Sequence, residues 1–163
     1  MNLNKAKYKN AIMYLCLALG GELHGKKKLA KLLYFADFDM YEKSEQSITG
    51  VIYEAWPMGP MPQELDEITQ EMVNNHELNI SQVKEREGYN PTEIYTCLVK
   101  HDYAVFNDDE MDMLDRIILK YGHLTGKQLE ELSHLEAPYV GTELKHEIAY
   151  ELAHYRDTDF SDL

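Results

Sequence analysis

Cysteines and long apolar runs are scarce in this sequence, and their scarcity argues against two classes of protein. Cys16 and Cys97 are the only cysteines among 163 residues, and neither belongs to a CxxC or Cys/His spacing. A disulfide framework is therefore not expected, and two buried free thiols in a reducing cytosol are the simplest interpretation. The apolar run from Ala11 to Leu19 is far shorter than the ~20 residues of a membrane span, and it does not have the form of a signal peptide. We therefore expect a cytoplasmic protein that does not enter the membrane.

Basic residues are also few, since 16 Lys and Arg face 29 Asp and Glu and leave a formal net charge of −13. Residues 1–31 carry seven lysines and one acid, whereas residues 102–163 carry fifteen acids and five bases. The chain as a whole repels phosphate, so we do not expect nucleic acid as a partner. An acidic surface suits a basic protein partner better, although net charge by itself mainly favours solubility.

Seven histidines raise the question of a metal site. His146-Glu147 begins like the zinc-binding HExxH pattern, but Tyr150 occupies the position of the second histidine. On a helix His154 would lie about 12 Å from His146, at ~1.5 Å per residue. That distance is too great for one zinc ion to be shared. We therefore expect neither a metal nor a cofactor.

Residues suited to catalysis are present but are not grouped in a recognisable way. A helix would place Asp37 and Asp39 about 200° apart, so they do not form a paired-carboxylate site. The glycines lack the spacing of a nucleotide-binding loop. His134, beside Ser133, is the best single candidate for a general base, although a histidine bonded to the loop that follows is the commoner arrangement. We therefore expect no enzyme, and a hydrolase that uses His134 is the alternative from that class.

Hydrophobic periodicity predicts that most of the chain is helical. Two later helices begin with capping boxes, Asn107 with Glu110 and Thr125 with Gln128. The second helix begins near residue 24 and has an apolar stripe of Leu29, Leu32, Leu33, Ala36 and Met40. The opposite, polar side should carry most of its charges, namely Lys28, Lys31, Asp37 and Asp39. The other predicted helices cover residues 4–19, 62–75, 107–122, 125–137 and 142 onward.

Strand-like alternation is confined to the middle of the chain. Residues 50–56 suit one short strand, which the prolines that follow should stop because proline lacks the N–H of a sheet ladder. The runs Leu78 to Arg86 and Ile94 to His101 predict a hairpin. We therefore predict an α+β fold, a mainly helical single domain over residues 1–163 with a small antiparallel β-sheet and a frayed tail at 157–163.

Four ordered segments between residues 28 and 139 form a pattern, which begins with KLAKLLYFAD at 28–37. ITG at 48–50 precedes YEA at 53–55, GPMP follows at 59–62, and ELSH at 131–134 is followed by Pro138. This order resembles the Panacea domain, the SocA-like or GepA-like phage-associated family, although the family often has Trp where this chain has Tyr139. The signature residues are Lys28, Leu29, Lys31, Leu32, Leu33, Tyr34, Phe35, Ala36, Asp37, Thr49, Gly50, Gly59, Pro60, Ser133 and His134.

The resemblance implies a function that the residues themselves do not give. Proteins similar to this one are antitoxins, which neutralise a cognate toxin by direct protein–protein binding. The resemblance also allows a proteolytic adaptor that delivers the toxin to the ClpXP protease. The expected partner is thus a toxin protein, with ClpXP as a second partner in the adaptor alternative and a homo-oligomer left open.

One segment combines aromatic residues, methionines and prolines in a way typical of interfaces. Tyr53, Trp56, Met58 and Met61 are the candidate partner-binding residues, because such side chains bury much area at low entropic cost. The neighbouring prolines would hold this surface in one conformation. Core positions remain the more frequent use of Trp and Met, and a strand with one inward and one outward face would satisfy both interpretations. We expect Leu33 in the core and Met58 partly exposed.

Overall fold

Helix α2, from Lys26 to Ser44, lies at the centre of the protein, and most of the other elements pack around it. The computed structural model describes residues 2–84, 87–88, 90–100 and 102–163. The other helices are α1 (Lys5–Ala18), α3 (Leu65–Asn74), α4 (Asp108–Tyr121), α5 (Gly126–His134) and α6 (Ala137–Val140), with 3₁₀ helices at Tyr103–Val105 and Tyr150–Tyr155. The strands are β1 (Glu22–His24), β2 (Tyr53–Trp56), β3 (Gly59–Pro62), β4 (Leu78–Val83) and β5 (Thr92–Cys97).

This architecture confirms the predicted α+β fold of helices with small antiparallel sheets. Local capping signals were reliable, since both capping boxes form at the starts of α4 and α5. Leu33 lies in the core, as predicted. Within the described ranges, no helix combines the length and the apolar character needed to cross a membrane.

The prediction that α2 has a polar outer face is wrong. Every residue from Leu29 to Tyr41 is buried, including Lys31, Asp37 and Asp39. The reason is that α1, α4 and α5 cover some sides of α2 while β3 and the C-terminal 3₁₀ helix cover others. Charged side chains on such a helix must find partners inside the protein.

The predicted single sheet is two sheets. The hairpin of β4 and β5 pairs with β1, a strand the sequence did not indicate, in the order β1-β5-β4. Strand β2 instead pairs with β3 in a separate hairpin, which we call the β2–β3 hairpin. The predicted hairpin ends at Arg86 and His101 lie outside the described residues.

Strand β2 ends at Trp56, before the first proline, as predicted. The prediction did not include β3, in which the prolines of GPMP are compatible with pairing because of the register. Tyr53 lies opposite Pro62 and Ala55 lies opposite Pro60. The backbone groups of Tyr53 and Ala55 bond to residues 145–148, on the side away from β3. In an antiparallel pair, when the N–H and C=O groups of one residue point away from the partner strand, those of the residue opposite point away as well. Pro60 and Pro62 therefore occupy positions at which the N–H of any other residue would point away from β2, so no hydrogen bond between the strands is lost.

The predicted last helix from residue 142 is also wrong. Pro138 lies in the first turn of the short α6, and residues 145–148 then form backbone hydrogen bonds with β2 before the 3₁₀ helix at Tyr150–Tyr155. The tail that was expected to fray makes specific contacts: Glu42 accepts hydrogen bonds from the backbone N–H and hydroxyl of Thr158, at 2.8 and 2.7 Å.

Candidate partner-binding surface

Asp37 is the first of two buried centres formed by the signature residues. Its carboxylate accepts hydrogen bonds from the N–H groups of Ile48 and Thr49, at 2.9 and 2.8 Å. The hydroxyls of Thr49 and Tyr53 also donate to it, each at 2.6 Å. Burial raises the pKa of Asp37, and these hydrogen bonds oppose the rise without cancelling it. Asp37 therefore fixes the segment that leads into β2 against α2.

Gly50 completes this first centre. Its φ of 72° lies in the left-handed region, and a Cβ atom there would approach the backbone oxygen of Asn2 to 2.1 Å. Only glycine fits both constraints. In the signature pair Thr49-Gly50, the threonine therefore hydrogen-bonds to Asp37, and the glycine leaves room for the backbone of the N-terminal segment to pack against it.

Lys31 is the second buried centre. Its Nζ donates to the carbonyl oxygen of Pro60 at 2.8 Å and contacts Sδ of Met61 at 3.4 Å. Burial lowers the pKa of Lys31 to about 7. A Cβ atom on Gly59 would lie 2.7 Å from Cε of Lys31 and 2.8 Å from Oγ of Ser133. Three signature segments thus meet at Gly59, where α2, the β2–β3 hairpin and α5 come together.

The geometry gives no support to a hydrolase built on Ser133 and His134. The Ser133 hydroxyl is fully buried and donates to the carbonyl oxygen of Glu130 at 2.8 Å. The His134 ring stacks on Tyr139 with the ring centroids 4.7 Å apart. Its Nε2 is buried without a hydrogen-bond partner among the described residues. Nor do any three His, Cys, Asp or Glu side chains in the described part of the chain converge as metal ligands would.

Sequence reasoning missed a buried ionic network that attaches the C-terminal region to α2. Asp39 pairs with Arg116 at 2.6 Å and also with Arg156. Arg156 in turn pairs with Glu42 and Glu136, both at 2.9 Å. A signal existed, because arginine is rare in this chain and is the residue best suited to buried ion pairs. Spacing alone could not say which acids it meets.

The candidate partner-binding residues divide between interior and surface. Tyr53 is fully buried and donates to Asp37, so it offers no area to a partner. Trp56 and Met61 are half-buried, and Met58 at the tip of the β2–β3 hairpin is 42% exposed. Strand β2 thus has an inward and an outward face. Tyr139 supports the outward side by donating a 2.7 Å hydrogen bond to the carbonyl oxygen of Trp56.

A groove of about 610 Å³ lies between the β2–β3 hairpin and the start of α3. Trp56, Met58 and Met61 contribute its apolar side. Its charged lining residues are Lys26, Glu54, Glu64, Asp66 and Glu67. We call it the hairpin groove. Its lining thus combines apolar and charged side chains, as protein interfaces do.

The sequence profile described as "antitoxin SocA-like, Panacea domain" matches residues 29–139, about two thirds of the chain. The chain belongs to this family. The matched range contains every signature residue except Lys28, and every residue that lines the hairpin groove except Lys26. Membership in an antitoxin family indicates a non-enzymatic role and a toxin as the general kind of partner. Searches of curated proteins and of solved structures find no significant match.

Proposed function

We propose that this Panacea-domain protein is an antitoxin of a toxin–antitoxin pair, in a bacterial or phage-borne locus, and that it neutralises its cognate toxin by direct, stoichiometric binding in the cytoplasm. The observation that carries the proposal is the match to the antitoxin family over residues 29–139. The geometry supports binding over catalysis. The signature side chains that could act as acids, bases or nucleophiles, such as Lys31, Asp37 and Ser133, are buried in contacts that stabilise the fold.

The proposed toxin-binding surface is the outward side of the β2–β3 hairpin, with Trp56, Met58 and Met61. This side is preorganised from both directions. Lys31 holds the Pro60 carbonyl from within, and Tyr139 holds the Trp56 carbonyl. A surface held in one conformation loses little entropy when a partner binds, which favours affinity.

Co-expression with the toxin encoded beside this chain tests the proposal. We expect wild-type protein to restore growth only when it is made in amounts comparable to the toxin, and to co-purify with it in a fixed ratio. Rescue by catalytic amounts, or loss of rescue in a folded His134→Ala variant that still binds the toxin, would indicate an enzyme instead.

The adaptor alternative differs in what happens to the toxin after binding. An adaptor would require ClpXP for rescue, and the toxin level would fall as rescue proceeds. A neutralising antitoxin leaves the toxin level unchanged and rescues cells that lack ClpXP. Toxin abundance, measured by immunoblot in both backgrounds, therefore separates the two mechanisms.

A further inference from the structure

The hairpin groove combines apolar anchors with an excess of carboxylates. Glu54 is held in place, because its two carboxylate oxygens accept hydrogen bonds from Nε1 of Trp56 at 3.3 Å and from Nε2 of Gln63 at 3.2 Å. Glu64, Asp66 and Glu67 are exposed along the start of α3. Lys26 is the one basic residue among the described residues that line the groove.

Lys26 shows how the groove receives a cation. Its ammonium group pairs with Asp66, with an Nζ to Oδ1 distance of 2.7 Å. The other acids in the lining, Glu54, Glu64 and Glu67, make no ion pair in the part of the chain that the structure describes. One of four carboxylates is thus neutralised from within the chain, and the rest remain for cations from outside.

We infer that the hairpin groove binds a cationic segment of the toxin, one that carries Lys or Arg side chains next to apolar ones. This inference rests on the proposed function. A cation can lie against the Trp56 ring and beside these carboxylates, while apolar side chains contact Met58 and Met61. A second copy of this chain carries the same net charge of −13, and Lys5, Lys7 and Lys9 of its basic N-terminal region already pair with acids of their own chain. Nucleic acid would bring phosphates. Both are repelled, so a basic protein segment is the occupant that the charges favour.

Replacing two comparable glutamates, one inside the groove and one outside it, tests the role of the groove's negative charge while the fold is kept. Glu64 and Glu45 are both exposed, and both adopt left-handed backbone conformations with φ of 61° and 60°. Glu64 lines the groove, whereas Glu45 lies at the C-terminal end of α2 and is absent from the groove lining. Replacement by glycine removes one charge from each site and relieves the same backbone strain.

The experiment measures the affinity of the full chain for the purified protein encoded beside it, at low and at physiological salt. We expect Glu64→Gly to weaken binding about threefold at low salt, as for an exposed ion pair, and Glu45→Gly to leave it unchanged. Glu64→Gly combined with Glu67→Gln should weaken binding about tenfold and reduce its salt dependence. Melting temperatures, which should not fall in either glycine variant, report folding.

The sign of the charge at the tip provides an independent readout. Met58→Lys should weaken binding more than Met58→Asp, because a cation repels a cationic segment while a carboxylate can pair with it. Equal affinities of Glu64→Gly and Glu45→Gly, or a stronger effect of Met58→Asp, would overturn the inference and leave the antitoxin proposal standing. Self-association of the chain that Met58→Lys abolishes would assign the groove to a second copy and likewise overturn it. Failure of the wild type to bind would overturn the proposed function itself.

Discussion

Nζ of Lys31 lies 2.8 Å from the carbonyl oxygen of Pro60, so a buried residue of α2 holds the outer edge of the β2–β3 hairpin. The Met61 sulfur, at 3.4 Å, is the second acceptor of Lys31 in the described structure. A protonated amine has three N–H groups and a neutral one has two. With two acceptors, the protonated amine would have one buried N–H without a partner among the described residues, in line with the lowered pKa of this lysine.

Lys31 should make the free energy of unfolding rise with pH above neutrality. Its pKa is about 7 in the folded protein and 10.5 in the unfolded chain. Between these values the unfolded chain binds more protons, so stability increases with pH, by up to about 1.4 kcal/mol per unit. Below pH 7 the amine is protonated in both states and contributes no slope. Urea unfolding at pH 7, 8 and 9 should show that Lys31→Met has lost this rise; parallel curves for the two proteins would contradict the prediction.

Gly59→Ala should destabilise the protein because the new methyl group meets Lys31 and Ser133 at 2.7 and 2.8 Å. Overpacking of this kind costs about 1–3 kcal/mol, in addition to the strain of a non-glycine residue at positive φ. Gly25→Ala is the control, since φ is 101° there against 105° at Gly59 and no atom lies within 4 Å. The difference between the two variants in chemical denaturation measures the packing term, and equal losses would show that Gly59 is required only for its backbone conformation.

Asp37→Asn should destabilise the protein by about 2–4 kcal/mol. The buried carboxylate is lost as an acceptor of four hydrogen bonds, and the NH₂ group of asparagine, itself a donor, faces some of the same N–H and O–H donors. Tyr53→Phe removes one donor to Asp37 and should cost only about 1–2 kcal/mol. Thermal and urea unfolding of both variants checks the order. A larger loss for Tyr53→Phe would mean that the tyrosine hydroxyl matters for another reason.

Leu33→Ala should cost about 2–5 kcal/mol through lost burial and the cavity that remains. Met58→Ala is the comparison, since Met58 is 42% exposed and should cost much less. If Met58 contacts the toxin, Met58→Ala should keep its melting temperature and still weaken rescue. An unfolded Met58→Ala protein, or one that folds and rescues fully, would remove this tip from the toxin-binding surface.

Features that depend on residues close in the sequence were predicted correctly. Features that depend on contacts between distant residues were not. The capping boxes at Asn107 and Thr125 involve residues three apart, so the sequence contains all the information. The burial of Lys31 depends on Pro60 and Met61, about thirty residues away, which periodicity within one helix cannot reveal. A stripe pattern therefore assigned Lys31 to the solvent side.

The candidate site shows the same division. Family resemblance selected Asp37, Thr49 and Gly59, but only the fold shows that these residues meet in two buried centres. Composition selected Tyr53 and Trp56 together, and strand alternation then separated an inward side chain from an outward one. The charges of the groove were missed because Glu54 and Glu64 reach it from different elements.

The prolines at 60 and 62 also determine how a partner can approach. Both occupy positions on β3 that face away from β2, and neither has an N–H to offer there. The Pro60 carbonyl is already bonded to Lys31, and residues 145–148 cover the free edge of β2. The hairpin is thereby protected against strand addition, whether by a partner peptide or by another hairpin during aggregation. Recognition at this surface must depend on side chains.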